Sequence, residues 1–222
     1  MSVVFTVALT LLVSYLLGCF NGSVMTSHFI IRDDVRQHGS GNAGLTNFYR
    51  TFGGPLTFVV ILTYVLKAVV ALLIGRWVLV GHVPALAMLM NSPEQAYSDY
   101  WCGLFCLLGH MFPCMFHFKG GKGILSGGTL VWLLDWRVGL IAWGLFAALW
   151  LLTRYVSLGS VCAAASMPVT TFFFCGRSLL YTALAVLIAA LVIWCHRENI
   201  TRRLHHQERK FQWHTGTPKE KE

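Results

Sequence analysis

Apolar residues fill this chain in long blocks, and polar residues collect in the breaks between them. Seven blocks stand out: Val3 to Gly22, Leu56 to Val80, Tyr100 to Phe116, Ile124 to Leu134, Val138 to Leu152, Val156 to Cys175 and Leu179 to Cys195. The longer ones match the length at which a helix rising about 1.5 Å per residue crosses a hydrocarbon core about 30 Å thick. The block at Ile124 is shorter. The pattern predicts an all-α, polytopic integral membrane bundle of about seven transmembrane helices. Its main polar interruptions are a long loop, Arg32 to Gly54, and a segment from Asn91 to Asp99. Residues 1–222 read as one membrane domain, with 196–222 as a basic tail. The first block lacks a preceding basic stretch and a small-residue cleavage site, so it reads as a retained span.

Composition agrees. The chain of 222 residues is 56% hydrophobic and only 12% charged, against about 25% charged in a soluble domain. The length leaves no room for a separate soluble domain. A net charge of +8 does not argue for nucleic acid here, because the basic residues flank apolar blocks and so bear on membrane orientation and anionic ligands. With seven spans, the breaks after spans one, three and five share a face with the tail. That face carries Arg32, Arg36, Arg50, Lys119, Lys122, Arg154, Arg197, Arg202, Arg203, Arg209, Lys210, Lys219 and Lys221, which is 13 of the 17 Lys and Arg. The other face carries Arg76, Arg137 and Arg177, and Lys67 lies within a span. The positive-inside rule puts the cationic face and the tail in the cytoplasm and the N-terminus outside. The seven cysteines lack metal-ligand spacing and read as small packing residues.

Three polar constellations carry the candidate chemistry, all on the cationic face. The first runs from His38 to Arg50. Gly39, Gly41 and Gly44 permit sharp turns and close approach of a ligand, Ser40, Asn42, Thr46 and Asn47 add hydroxyl and amide groups, and Arg50 supplies a guanidinium fork. It suits a phosphate, and it also reads as a flexible loop capped at Ser40 or Asn42. The second is Lys119-Gly120-Gly121-Lys122-Gly123. Backbone donors at Gly120, Gly121 and Gly123 with the Lys122 ammonium can neutralise an oxyanion, or the segment is a tight basic turn. It lacks the spacing of a Walker loop. The third is His196 to Arg203, where His196 and Asn199 fall on one helical face. Arg202 and Arg203 read there as contacts to anionic lipid heads. Within spans, Lys67 must face the bundle or snorkel, and His110 reads as a structural hydrogen-bonding group. Asp33 and Asp34 read as solvated partners of Arg32 and Arg36. No GxSxG, HExxH or carboxylate pair with catalytic spacing appears. A reaction that needs much phosphate binding and few protein bases fits best.

On these residues the chain resembles the bacterial acyl-phosphate:glycerol-3-phosphate acyltransferase family, PlsY. The resemblance rests on four blocks in order: Asp34 to Asn42 running on to Thr46, Asn47 and Arg50 to Gly53; Leu108 to Pro113 through Lys119 to Gly123; Thr153 to Leu158; and His196 to Ile200 with Glu208. It implies a seven-span enzyme of the plasma (inner) membrane with its site on the cytoplasmic side. The implied reaction moves a fatty acyl group from acyl phosphate to the sn-1 hydroxyl of glycerol-3-phosphate, giving lysophosphatidic acid, with no metal or cofactor. The implied partners are those two substrates and membrane lipid, with no nucleic acid and no obligate protein. The resemblance implies catalytic roles for Ser40, Arg50, Lys122, His196 and Asn199, with phosphate cradled by the segment around Gly120, Gly121 and Gly123. The sequence departs from the family pattern at Cys19, Asn21, Tyr64 and His206, where Ser, Pro, Asp and Gly are usual. The other readings are an organic-phosphate transporter, a noncatalytic membrane scaffold, and the same transfer from acyl-CoA or acyl carrier protein.

Overall fold

The computed structural model describes residues 2–80 and 94–212. Among the described residues the chain is helical, with no strand. In order, the helices are α1 (Val3–Cys19), α2 (Gly22–Ile31), α3 (Leu45–Thr51), α4 (Leu56–Gly75, continuing more loosely wound through Arg76–Val80), α5 (Glu94–Met111), α6 (Ile124–Leu134), α7 (Trp136–Thr153), α8 (Val156–Phe174), α9 (Leu179–Cys195) and α10 (Arg197–Leu204). Three of the spans, Leu56–Leu79, Trp136–Thr153 and Val156–Phe174, are each long and apolar enough to cross a membrane. The bent pairs α1–α2 (44°) and α9–α10 (55°) raise that number to five. The predicted fourth span is a helix of 11 residues.

Two predicted boundaries move. The third apolar block was expected to begin at Tyr100, but α5 begins at Glu94 and ends at Met111. Its polar start is held by an ion pair: Asp99, only 2% exposed, accepts from Arg76 Nε at 2.9 and 3.0 Å and from Arg76 Nη2 at 2.7 Å. Residues 91–93 of the predicted polar segment lie outside the described residues. The long polar loop also contains more order than its composition suggests, because α3 forms inside it.

The bundle has two lobes. Helices α1, α4, α5 and α6 pack together, α7, α8 and α9 form a second group, and contacts of α6 with α7 and of α9 with α5 join them. Helices α1 and α5 approach closely. A Cβ on Gly109 would stand 2.9 Å from the Gly18 Cα, so small residues bring the two backbones into contact. Hydroxyls inside the spans return hydrogen bonds to carbonyls four residues back, as at Ser14 to Thr10, Thr63 to Val59, Ser160 to Val156 and Thr170 to Ser166. In apolar surroundings this satisfies the hydroxyl without a second helix.

Lys67, in the middle of an apolar block, points into the bundle and is 5% exposed. Its ammonium donates to Gly18 O at 2.7 Å and Phe20 O at 3.0 Å, and lies 2.8 Å from His110 Nδ1. It therefore serves the carbonyls at the end of α1, where the break at Phe20–Asn21 would otherwise leave them unpaired. All seven cysteines are free.

Candidate active site

Four segments far apart in sequence enclose a cavity of about 830 Å³ at one end of the bundle. The first is the glycine loop before α3. Its turn is built by Asn47, which is 5% exposed. Asn47 Nδ2 donates to Val35 O and His38 O, both at 3.0 Å, and its Oδ1 accepts the Ser40 N–H at 3.0 Å. Gly39 sits at φ +57, with Asn47 Oδ1 where a Cβ would go, so only glycine closes this turn. Ser40, Asn42 and Thr46 then line the cavity, with Arg50 one helical stretch beyond.

The second segment is the turn before α6. Gly120 N–H donates to Met111 O at 3.2 Å and Gly121 N–H to His110 O at 3.1 Å. These two amides close the turn onto the end of α5, and neither glycine is in the cavity wall. Gly41 is likewise out of the wall, its N–H donated to His38 O at 2.9 Å. Of the three glycines expected to cradle phosphate in this segment, Gly123 alone lines the cavity, at the N-terminus of α6. Gly39 and Asn47 border it, with Asn47's amide already committed to the loop.

The third segment follows α9. His196 is 3% exposed. Its Nδ1 donates to Val192 O at 2.8 Å, which leaves Nε2 as an acceptor. Burial lowers its pKa from 6.5 to about 4, so the ring is neutral at physiological pH. Asn199, on the next turn, accepts from the Lys122 ammonium and from Arg202 Nη2 at 3.0 Å, and its Nδ2 donates to Glu208 Oε1 at 3.2 Å. Lys122 is thus inside the site, and burial lowers its pKa from 10.5 to about 8, with nearby Arg202 adding to the effect.

The fourth segment is the start of the tail. After α10 the chain turns at His206 (φ 57) and runs back across the cavity mouth. Gln207, Glu208 and Arg209 line the wall. Phe211 N–H donates to Arg154 O at 2.7 Å, and its ring stacks on Tyr49 with centroids 5.8 Å apart. Arg50 Nη2 donates to Arg209 O at 3.4 Å.

All five expected catalytic residues, Ser40, Arg50, Lys122, His196 and Asn199, therefore line one cavity. The cavity continues into a narrower apolar groove between α6, α7, α8 and α9. Both share Gly123, Ile124, Trp143, Phe146 and Ser160, and the groove goes on past Gly127, Gly128, Ala163, Ala164 and Met167. A polar chamber with cations thus opens onto a lipid-like channel.

The sequence of this chain matches the family profile described as Glycerol-3-phosphate acyltransferase over residues 8–206. The chain belongs to that family. It is 34% identical over 205 residues to the glycerol-3-phosphate acyltransferase of Syntrophomonas wolfei, covering 92% of this chain and 96% of the relative. It is 32% identical over 204 residues to that of a Prochlorococcus marinus strain, covering 91% and 96%. It also resembles the crystal structure of PlsY (YgiH), an integral membrane glycerol 3-phosphate acyltransferase, in its glycerol 3-phosphate form. There the TM-score is 0.77 at 31% identity, over 93% of this chain and 96% of the other. The lysophosphatidic acid form of that protein matches with a TM-score of 0.74.

Within the glycerol-3-phosphate acyltransferase family fold, Arg202 and Glu208 take places in the cavity that the sequence analysis did not give them. Arg202 was expected among lipid heads, but it turns inward to Asn199 and lines the cavity. Glu208 meets Asn199 from the tail. Both lie on the basic tail, where charge density alone suggests lipid contact; the spacing of Arg202 three residues after Asn199 was the available signal. Arg203 stacks its guanidinium over Tyr155, 4.2 Å from the ring centroid. Asp34 pairs with Arg36 as expected, at 2.8 Å, while Asp33 pairs with His38 at 2.9 Å in place of Arg32.

Proposed function

We propose that this protein transfers a fatty acyl group from acyl phosphate to the sn-1 hydroxyl of glycerol-3-phosphate, forming lysophosphatidic acid at the cytoplasmic face of the plasma membrane. The observation that carries this reading is the junction of a cation-lined polar chamber with an apolar groove. The chamber suits two phosphate-bearing head groups, and the groove suits an acyl chain. Family membership and the likeness to a protein crystallised with glycerol 3-phosphate support the acceptor. The cation count on one face supports the orientation.

In this reading, the Lys122 ammonium and the Arg50 guanidinium hold the phosphates. The N-terminus of α6 at Gly123 adds its partial positive charge. Asn199 aligns Lys122, and the neutral His196 Nε2 accepts a hydrogen bond from a glycerol hydroxyl. The acceptor oxygen attacks the acyl carbonyl carbon. The new ester C–O bond forms, the bond between that carbon and the phosphate oxygen breaks, and inorganic phosphate departs. The hydroxyl proton passes to a phosphate oxygen, so the protein need not supply a base. Ser40 orients the acceptor: among the described residues its hydroxyl has no histidine or carboxylate partner to activate it as a nucleophile. Acyl phosphate is already activated, and positioning supplies much of the rate.

The test is a donor assay on purified protein in lipid, with labelled glycerol-3-phosphate and, separately, acyl phosphate, acyl-CoA and acyl carrier protein as donors. Lysophosphatidate from acyl phosphate alone is expected. Product from either of the other donors at equal rate overturns the donor assignment, and uptake of glycerol-3-phosphate into proteoliposomes without product overturns the enzyme reading.

A further inference from the structure

The floor of the cavity is tied together by groups that the proposed mechanism does not use. Tyr64, on α4, is 1% exposed. Its hydroxyl oxygen lies 2.7 Å from Ser23 Oγ, 2.8 Å from Ala43 O and 2.9 Å from Asn21 Oδ1, and it accepts the Ser23 N–H at 3.4 Å. A phenol has one proton. Ser23 therefore donates to Tyr64, and the Tyr64 proton is directed at Ala43 O and Asn21 Oδ1 together. Asn21, fully buried at the break between α1 and α2, donates its Nδ2 to the same Ala43 carbonyl at 3.1 Å and accepts the Val24 N–H at 3.2 Å. Two side chains from different helices thus grip one loop carbonyl.

That carbonyl is well placed to control the site. Ala43 is 0% exposed and lies between Asn42 and Gly44, both in the cavity wall. Asn47 holds the outer part of the loop through Ser40 and His38. The inner part has the Asn21–Tyr64 grip. The second glycine turn leans on the same point: a Cβ on Gly121 would stand 3.0 Å from Ala43 O.

We propose that Asn21 and Tyr64 are paired positioning residues, which fix the Ala43 carbonyl so that Ser40 and Asn42 are presented to the phosphate-bearing acceptor. Neither hydrogen-bonds substrate; both act through the loop. The inference rests on the reading of this cavity as the glycerol-3-phosphate site.

The experiment compares Tyr64→Phe, Asn21→Ala, the double variant and Ser23→Ala with the parent protein in lipid. It measures kcat, KM for each substrate and backbone hydrogen exchange over residues 38–47. Tyr64→Phe is expected to raise KM for glycerol-3-phosphate roughly tenfold, the cost of one lost buried hydrogen bond, and to leave KM for acyl phosphate unchanged. Exchange should quicken over 39–44 and stay unchanged in α4. The double variant should be little worse than either single one, because both residues hold one carbonyl. Ser23→Ala, which leaves Ala43 held, should behave as the parent. A Tyr64→Phe protein with parental KM values and parental loop exchange overturns the proposal. So does a loss confined to the folded fraction, or full additivity in the double variant. If the parent protein transfers no acyl group, the functional reading fails, and the exchange arm still decides whether the pair holds the loop.

Discussion

The two ends of the bundle treat their cations differently. At the end away from the cavity, Arg76 clamps the buried Asp99 with three hydrogen bonds, and Arg137 clamps Asp135 at 2.7 Å while also donating to Phe174 O at 2.9 Å. At the cavity end, Lys122 donates to the neutral Asn199 amide and Arg50 to the Arg209 carbonyl. Among the described residues, neither is in ion-pair distance of a carboxylate. Paired charges close a structure and leave little field outside it. Cations hydrogen-bonded to neutral oxygens, and partly stripped of water, keep more of their attraction for an incoming anion. Arg36, beside the cavity loop, is paired with Asp34 like the far-end arginines, so the contrast belongs to Lys122 and Arg50, whose charge stays available in the cavity wall.

The sharpest way to break this contrast is at Lys122. Lys122→Ala is expected to lower kcat/KM about a thousandfold, the scale for losing a preorganised charge at a reacting centre. Arg50→Ala should cost about a hundredfold, chiefly in KM for glycerol-3-phosphate. Steady-state kinetics on purified variants decide both, and near-parental rates in each would dissolve the distinction between the two ends.

A second effect follows from the burial of Lys122. Its amine is cationic below about pH 8 and neutral above it. If the cation binds phosphate, kcat/KM falls as pH rises through about 8, approaching tenfold per unit well above it. The ordinary lysine value lies near 10.5. Lys122→Arg should move that limb out of the measurable range while keeping part of the activity. A parental profile flat to pH 9.5 would mean that Lys122 is not needed as a cation.

At the far end the expectation reverses. Asp99→Asn should reduce stability by about 2 kcal/mol, less than for a fully buried pair because Arg76 is partly exposed. It should leave kcat/KM per folded molecule untouched. Thermal melting in detergent beside the kinetic assay separates these. The smallest effect is expected in the groove, where Ala164→Leu fills space past Ser160. It should shift the preferred acyl donor to shorter chains by a few-fold in relative kcat/KM, a typical scale for a few methylenes in an apolar pocket, without changing KM for glycerol-3-phosphate.

Much of the fold was legible because apolar helices announce themselves by length and composition. The exceptions had local polarity that tertiary partners neutralised. The first turns of α5 read as loop because Asp99 is charged, yet Arg76, 23 positions earlier, makes that charge compatible with a buried helix. Helix α3 was hidden within a polar loop. In the site, Ser40, Arg50, Lys122, His196 and Asn199 were chosen by residue type and motif and do converge. Gly120 and Gly121 were expected to present free amides, and here the reading fell short. A glycine run signals a tight turn equally well, and only the approach of Met111 O and His110 O reveals where those amides go.

The sequence by itself determined that this chain builds apolar helices, that most of its charge gathers in a few connecting segments, and which cationic, hydroxyl and amide side chains those segments carry. These are properties of hydropathy and side-chain chemistry, and they need no knowledge of neighbours. The tertiary structure decided which cations stay without a carboxylate. Lys122 meets Asn199 across 77 positions and Arg50 meets Arg209 across 159. Tyr64 and Asn21, two of the departures from the family pattern, prove to be partners 43 positions apart. Whether a charge is cancelled or kept available depends on what lies within a few ångströms of it, and packing alone brings those groups together.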